Sequence, residues 1–288
     1  MVRIRLQQQI ANRLAAFLRR GHGANRSDHW TRYDSLNRIR VEGEWVIVEA
    51  GPGFDSEYEL NFRSPRLRER AAWLWHRVTG KHDLKRYQSA YRKLWSEDLL
   101  RLHSPHQVIA HDYMRRMPFK NVSNYLEIGA GTGYLAALAH ERWGARVTII
   151  DLLEILPLGF LFLHARFPGA SVRFPHESGQ ATFTFLTSAE QVPDNSVDLA
   201  VNTASFGEMR PEQIAYYFRE LRRAVTPAGC LFTVNREEKW MDGAPIRFAE
   251  YPWSSADVDL SYGPSPLYAL TQPENRMLVR ICRLAKQV

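Results

Sequence analysis

Residues 125–138 read YLEIGAGTGYLAAL: a hydrophobic, strand-like run enters a glycine-rich turn and leaves as a helix. A strand that turns this sharply into a helix belongs to a βαβ unit, and the sequence that follows repeats the alternation. Asn124 to Ile128 reads as a strand, Tyr134 to Trp143 as a helix, and ARVTIID (145–151) as a β-branched strand ending in an acid. Leu153 to Arg166 is apolar and helical. ATFTFLT (181–187) and VDLAVNT (197–203) are strands. Pro211 to Val225 is a helix with Ile214, Phe218, Leu221 and Val225 on one face. GCLFTVN (229–235) and MLVRICRL (277–284) close the series as strands. Such alternation predicts a mostly parallel sheet with helices on both faces.

Residues 1–120 have another texture. Helix-like patterns dominate, and RSPRLRERAAWLWHRV opens with Ser64 as a cap and Pro65 in the first turn. HSPHQVIAHDYMRRM repeats that start with Ser104 and Pro105. VEGEWVIVE (41–49) is the exception, a candidate short strand. The expected organisation is an N-terminal, mainly helical region over 1–104 and an α/β domain over 105–288.

The turn holds a ligand close to the backbone, and three features select among nucleotide-like ligands. The glycines are Gly129, Gly131 and Gly133, a G-x-G-x-G spacing. The dinucleotide fingerprint would need glycine where Tyr134 stands, and a phosphate loop would need a Gly-Lys-Ser/Thr that is missing. Glu127, two residues before Gly129, would repel a pyrophosphate but suits a ligand bearing an ammonium and a sulfonium. Asp151 ends the next strand, 22 residues after Gly129. Its two acceptor oxygens suit a pair of ribose hydroxyls.

With these residues in place, the sequence over roughly 105–288 resembles the class I S-adenosylmethionine-dependent methyltransferases. LEIGAGTG is similar to that family's first motif, VTIIDL to its second, and FLTSAEQVPDNSVDLAVN to its third and fourth. LRRAVTPAGCLFTV resembles the helix, Pro-Gly turn and strand that follow, here with Ala228 inserted. The resemblance implies an α/β, Rossmann-like seven-stranded sheet whose last strand is antiparallel, with S-adenosylmethionine as cofactor. It implies that Gly129, Ala130, Gly131 and Gly133 pass along the methionine part of the cofactor and that Glu127 helps hold its amino group. By the same resemblance Asp151 binds the ribose and Leu152 packs on the adenine. Ser188 and Ala189 stand where the family often has an Asp beside the adenine amine. DLLEILPLGFLFLHARFP, NTASFGEM, QIAYYF and FTVNREEKW further resemble a bacterial group of sugar O-methyltransferases.

A sugar hydroxyl is a weak nucleophile, so a base is expected to take its proton. In open α/β sheets ligands lie beyond the carboxyl ends of the strands, which directs attention to Asn202, Ser205 and Glu208 after VDLAVN. Glu208 is one candidate base and His176, in RFPHESG, the other. Metal-dependent relatives place an Asp near position 202; Asn202 is a weaker ligand for a hard cation, so no metal is expected. Asn202 is instead counted with the cofactor residues. His103 and His106 flank a helix start and have no third ligand in view.

The acceptor itself is less constrained. KHDLKRYQSAYRK (81–93), with Tyr87 and Tyr91, could stack on a sugar or form a solvated helix face. Arg236, Lys239, Trp240, Tyr251 and Trp253 could line an acceptor pocket or pack. The formal charge of +7 favours anionic partners. No NPPY-like tetrad follows the fourth strand and no RNA-binding motif is appended, which argues against a nucleic-acid methyltransferase. A non-catalytic cofactor-binding subunit is the third alternative. VRIRLQQQIANRLAAFLRR (2–20) reads as a basic amphipathic helix whose stripe of Ile4, Leu6, Ile10, Leu14 and Phe17 could rest on an anionic membrane, though such a helix more often packs on its own domain or on a second subunit. Arginines at 3, 5 and 13 interrupt any secretion signal, no run reaches the ~18 apolar residues of a membrane span, and Cys230 and Cys282 lie in apolar runs. A cytoplasmic protein with two buried thiols is expected.

Overall fold

The computed structural model describes residues 2–19, 38–49 and 81–286, apart from 98, 100, 101, 103 and 242. The helix expected from Ser64 and Pro65 and the position of His103 lie outside the described residues.

The helices and strands, in chain order, are β1 (Val2–Arg5), α1 (Gln8–Leu18), β2 (Arg38–Glu42), β3 (Trp45–Glu49), α2 (Lys81–Trp95), α3 (Pro105–Arg116), β4 (Asn124–Ile128), α4 (Tyr134–Trp143), β5 (Arg146–Ile150), α5 (Leu156–Arg166), β6 (Val172–Arg173), β7 (Phe183–Leu186), β8 (Val197–Thr203), α6 (Pro211–Ala224), β9 (Val225–Arg236), β10 (Glu238–Met241), β11 (Ala244–Arg247), β12 (Val258–Pro264), α7 (Pro266–Thr271) and β13 (Met277–Arg283). Eight strands form the main sheet in the order β12-β13-β9-β8-β4-β5-β7-β6. From β6 to β9 every pairing is parallel, while β13 runs antiparallel to β9 and to β12. This is the seven-stranded arrangement the resemblance implies, with β12 added to the six strands read from the sequence and the two-residue β6 at the other edge. Central parallel strands are covered on both faces and so read as unbroken apolar runs. All four residues of β7 are buried, and so are the last four of β4.

Two cores flank the sheet. One joins the sheet to α1, α2, α3, α4, α5 and α7; the other joins it to α6 and to Ile246, Phe248 and Tyr251. The first side is therefore covered by helices, the second by one helix and an aromatic segment. Helix α6 begins on Pro211 and buries Ile214, Tyr217, Phe218 and Leu221 on one stripe. Its Arg222 is buried against Asp257 at 2.6 Å and also donates to the carbonyl of Pro252, which ties the aromatic segment to the helix. On the first side, the fully buried Asp112 accepts from Trp95 at 2.8 Å and from Arg116 at 2.7 and 2.9 Å, joining α2 to α3. Ser104 caps α3 as expected, accepting from the Gln107 amide.

Three expectations are altered or narrowed. Residues 2–5 are a strand rather than the start of a helix. Val-Arg-Ile-Arg alternates with period two, and this segment pairs antiparallel with β3, which also pairs with β2. The stripe of α1 is turned inward: Ala11, Leu14 and Phe17 are all buried, Phe17 at 1 % exposure and stacked on Phe174 at 5.4 Å. Arg13 clamps the same helix down, donating to both oxygens of Glu177 at 2.6 Å and to the Val172 carbonyl. An apolar face spent on the protein's own core is not available to a membrane. Third, β9 starts four residues before the expected Gly229. Between Val197↔Val225 and Leu199↔Cys230, β8 advances two residues and β9 five, so the inserted Ala228 sits in a bulge. Gly229 is needed there, because a Cβ would meet the Val197 and Asp198 carbonyl oxygens at 2.8 and 2.9 Å. Cys230 and Cys282 are free and buried, as expected, and burial pushes the Cys282 thiol up to about 12. No helix among the described residues is long and apolar enough to cross a membrane.

Candidate functional site

The turn between β4 and α4 lies at the carboxyl ends of the parallel strands. Gly129, Gly131 and Gly133 have φ of +72, +58 and +76°, the left-handed region that residues with a Cβ avoid. The Gly129 amide donates to the Ile150 carbonyl at 2.8 Å, holding the turn against β5, and the Gly133 amide donates to the Ala130 carbonyl at 2.9 Å. A Cβ on Gly129 would lie 2.2 Å from Ser205 Oγ. Alternate left-handed glycines make a turn whose backbone a ligand can approach closely. Tyr134, in the place of the dinucleotide glycine, packs on Phe162 with ring centres 5.9 Å apart.

Two acids bracket this turn. Glu127 is 2 % exposed; its Oε2 accepts from the Tyr125 hydroxyl at 3.0 Å. Burial raises its carboxyl from the usual 4.5 to about 8; the Tyr125 hydrogen bond and the Ala136 amide oppose the shift, and Asp151 adds to it. Asp151 accepts from the Gly131 amide at 2.9 Å on one oxygen and from its neighbour's amide, Leu152, at 2.7 Å on the other. The residue is partly exposed, yet desolvation of its carboxyl raises it from 3.8 to about 7, against those two amides and with the help of Glu154 and Glu208. No lysine or arginine is among the groups acting on either acid. Buried carboxyls with this donor set suit a ligand that brings its own positive charge to one and hydroxyl donors to the other. S-adenosylmethionine has both, so the residues present fit that cofactor.

The structure draws Leu152, Ser188 and Ala189 to the same end of the sheet. Leu152 follows Asp151 directly, and its carbonyl accepts the Ile155 and Leu156 amides that start α5. Ser188 and Ala189 follow β7. A residue not foreseen from sequence holds them: the Tyr216 hydroxyl of α6 is 2.9 Å from Ser188 Oγ and accepts from the Ala189 amide at 3.1 Å.

Asn202, the last residue but one of β8, is fully buried and has its amide in use. It donates to the Ile128 carbonyl at 3.1 Å and to Ser205 Oγ, and accepts from Asn235 at 2.9 Å and from the Phe206 amide at 3.3 Å. It locks the carboxyl ends of β4, β8 and β9 together beneath the turn. Glu208 lies just beyond, in the one-turn 3-10 helix Phe206–Glu208, and its Oε1 accepts from Lys239 Nζ of β10 at 2.6 Å. Its charge adds to the raising of Asp151, so the two carboxyls lie within electrostatic reach of one another. His176 stands apart. It follows the edge strand β6, separated from β4 by β7 and β5, and stacks on Phe174 beside the Arg13–Glu177 pair.

Several aromatic candidates are core. Tyr87 and Tyr91 are buried on α2, leaving Lys85, Arg86, Arg92 and Lys93 to solvent. Tyr251 and Trp253 pack on Phe206, Phe218 and Phe248. Trp240, 68 % exposed, neighbours Lys239 on the β10–β11 hairpin and so points from its other face.

Residues 126–233 match the family model described as a methyltransferase domain. No curated protein matches the chain. Among solved structures the chain is similar to the N-methyltransferase NodS from Bradyrhizobium japonicum WM9, at 15 % identity over 63 % of this chain and 97 % of that one, with a TM-score of 0.47. It is similar to geranyl diphosphate C-methyltransferase from Streptomyces coelicolor A3(2), solved with S-adenosyl-L-homocysteine, at 15 % identity over 61 % and 75 % and a TM-score of 0.45. A third is an S-adenosylmethionine dependent methyltransferase from Mesorhizobium loti, at 17 % identity over 59 % and 95 % and a TM-score of 0.38. Likenesses this distant carry no argument about the acceptor. The matched segment spans β4 to β9 and contains the glycine turn and both acids: residues 126–233 are a methyltransferase domain, and its cofactor is S-adenosylmethionine.

Proposed function

We propose that this enzyme methylates a hydroxyl of a sugar, carried on a nucleotide sugar, a glycan or a glycosylated metabolite. The observation that carries the reading is Glu208, a carboxylate one turn beyond β8, within electrostatic reach of Asp151 and held at 2.6 Å by Lys239. The motifs NTASFGEM and FTVNREEKW, which carry the resemblance to sugar O-methyltransferases, contain Glu208 and Lys239 respectively. Residues 105–288 are taken as the catalytic domain and 1–104 as an N-terminal region added to it.

In this reading the backbone of Gly129, Ala130, Gly131 and Gly133 runs along the methionine part of the cofactor. Glu127 meets its amino group, Asp151 its ribose, and Leu152, Ser188 and Ala189 its adenine. Asn202 acts from beneath by fixing Ile128 and Ser205. S-adenosylmethionine supplies a methyl carbon made electrophilic by its sulfonium, which departs as a neutral thioether. Glu208 orients the acceptor hydroxyl and takes its proton as the new O–CH3 bond forms and the S–CH3 bond breaks; in-line placement within about 3–3.5 Å provides much of the rate. We assign the base to Glu208 rather than to His176, which follows the edge strand β6 and stacks on Phe174.

A panel of nucleotide sugars and glycans, assayed with methyl-labelled cofactor, tests this. Label is expected in an O-methyl sugar, with Glu208→Gln lowering kcat by about 10²–10⁴-fold while cofactor affinity holds. Label on a nitrogen or carbon acceptor, or full activity in Glu208→Gln, overturns the assignment.

A further inference from the structure

Strand β4 carries a polar group that neither the glycine turn nor the packing requires. Tyr125 and Glu127 are two residues apart on one strand, so their side chains leave the same face. Tyr125 is 1 % exposed and lies in the larger core. A phenylalanine would fill that place with no polar atom to satisfy, whereas a buried hydroxyl needs a partner. Its partner is Oε2 of Glu127, at 3.0 Å. Around Glu127 stand Tyr125 from its own strand, the Ala136 amide from α4 and Asp151 from the end of β5; Asp151 in turn faces Glu154 and Glu208. Helix α4 has Gly133 at its N-cap and no side-chain cap, so its Ala136 amide is an end group open to the carboxylate.

We propose that Tyr125 is a positioning residue of the cofactor site: by donating to Oε2 it pins the Glu127 carboxylate, so that the second oxygen and the charge are presented to the cofactor's amino group. The inference rests on the reading of Glu127 as the partner of that amino group. Tyr125 touches no reacting atom; it fixes the orientation of a charge and favours its ionised form.

Calorimetric binding of two ligands separates this from plain packing. S-adenosylhomocysteine carries the amino acid part, and 5′-methylthioadenosine has the same nucleoside thioether without it. Tyr125→Phe is expected to weaken S-adenosylhomocysteine about ten- to a hundredfold, the range of a hydrogen bond to a charged group, and to leave methylthioadenosine unchanged. In a Glu127→Gln background the same change is expected to cost nothing further. The pH at which S-adenosylhomocysteine binding reaches full strength should move upward in Tyr125→Phe. It should move downward with 3-fluorotyrosine in place of Tyr125, a stronger donor of the same shape. Equal losses for both ligands, no loss for either, or unmoved pH profiles would overturn the inference. Failure can be located: if Glu127→Gln binds S-adenosylhomocysteine like the wild type, the reading of Glu127 falls and takes Tyr125 with it. If Glu127→Gln binds poorly while Tyr125→Phe binds normally, only the role of Tyr125 falls.

Discussion

Glu127 and Asp151 keep protons that they would release in an unfolded chain, because burial lifts them to about 8 and about 7 from 4.5 and 3.8. The native state therefore binds more protons than the unfolded one between those values, and stability falls as pH rises through that window. The ligand-free protein should show a melting temperature that declines from about pH 5 to about pH 8, with a smaller decline in Glu127→Gln; a flat profile in the wild type counts against the burial described. In the proposed reading cofactor binding brings a cation to Glu127 and hydroxyl donors to Asp151, so near pH 7 it should expel about one proton from Glu127 and about half of one from Asp151. Calorimetry in buffers of different ionisation enthalpy measures this, and Glu127→Gln should release fewer. Gly129→Ala forces a Cβ to 2.2 Å from Ser205 Oγ at a φ of +72°. It should cost at least about 1–2 kcal/mol from the backbone alone and abolish tight cofactor binding; adding Ser205→Gly should relieve the clash but not the strain. The residues with a fixed motif spacing, Glu127 to Gly133 and Asp151, were legible in the sequence. Their supports were not, because Tyr216 with Ser188, or Asn235 with Asn202, are far apart along the chain and meet only when strands and helices pack.

Regular alternation made β4, β5, β7, β8 and β9 readable, since buried parallel strands are largely apolar, and the antiparallel β13 is readable because it is mostly apolar too. The segments that escaped have a common cause in being short, half-exposed and interrupted. β12 is VDLSYGP, an edge strand open to solvent along most of its length; β10 and β11 have four residues each, with Gly243 and Pro245 around the turn. β1 is too short for its alternation to outweigh the helical run after it. The N-terminal stripe was visible in sequence, but what it faces is a tertiary fact. Because α1 spends that stripe on Phe174, Phe17→Ala should lower stability by about 3–5 kcal/mol in chemical denaturation. An unchanged midpoint would mean that α1 does not pack as described.

The arrangement of layers, six helices of the described residues on one side of the sheet and α6 with an aromatic segment on the other, could not be read from periodicity. It depends on crossover paths and on contacts such as Arg222–Asp257. What the layers achieve is plain in the site: the carboxyl ends of β4, β5, β7, β8 and β9 converge, carrying the glycine turn, two desolvated acids and the Glu208–Lys239 pair to one mouth. The central claim, that this mouth transfers methyl groups to sugars, is tested most directly by incubating the protein with methyl-labelled S-adenosylmethionine and a bacterial lysate, with Asp151→Ala as control. After separation into small solutes, lipid-extractable glycans and nucleic acid, the account predicts label in a sugar of either of the first two fractions, absent with Asp151→Ala. Label confined to nucleic acid, or no label from protein that still binds the cofactor, would contradict it.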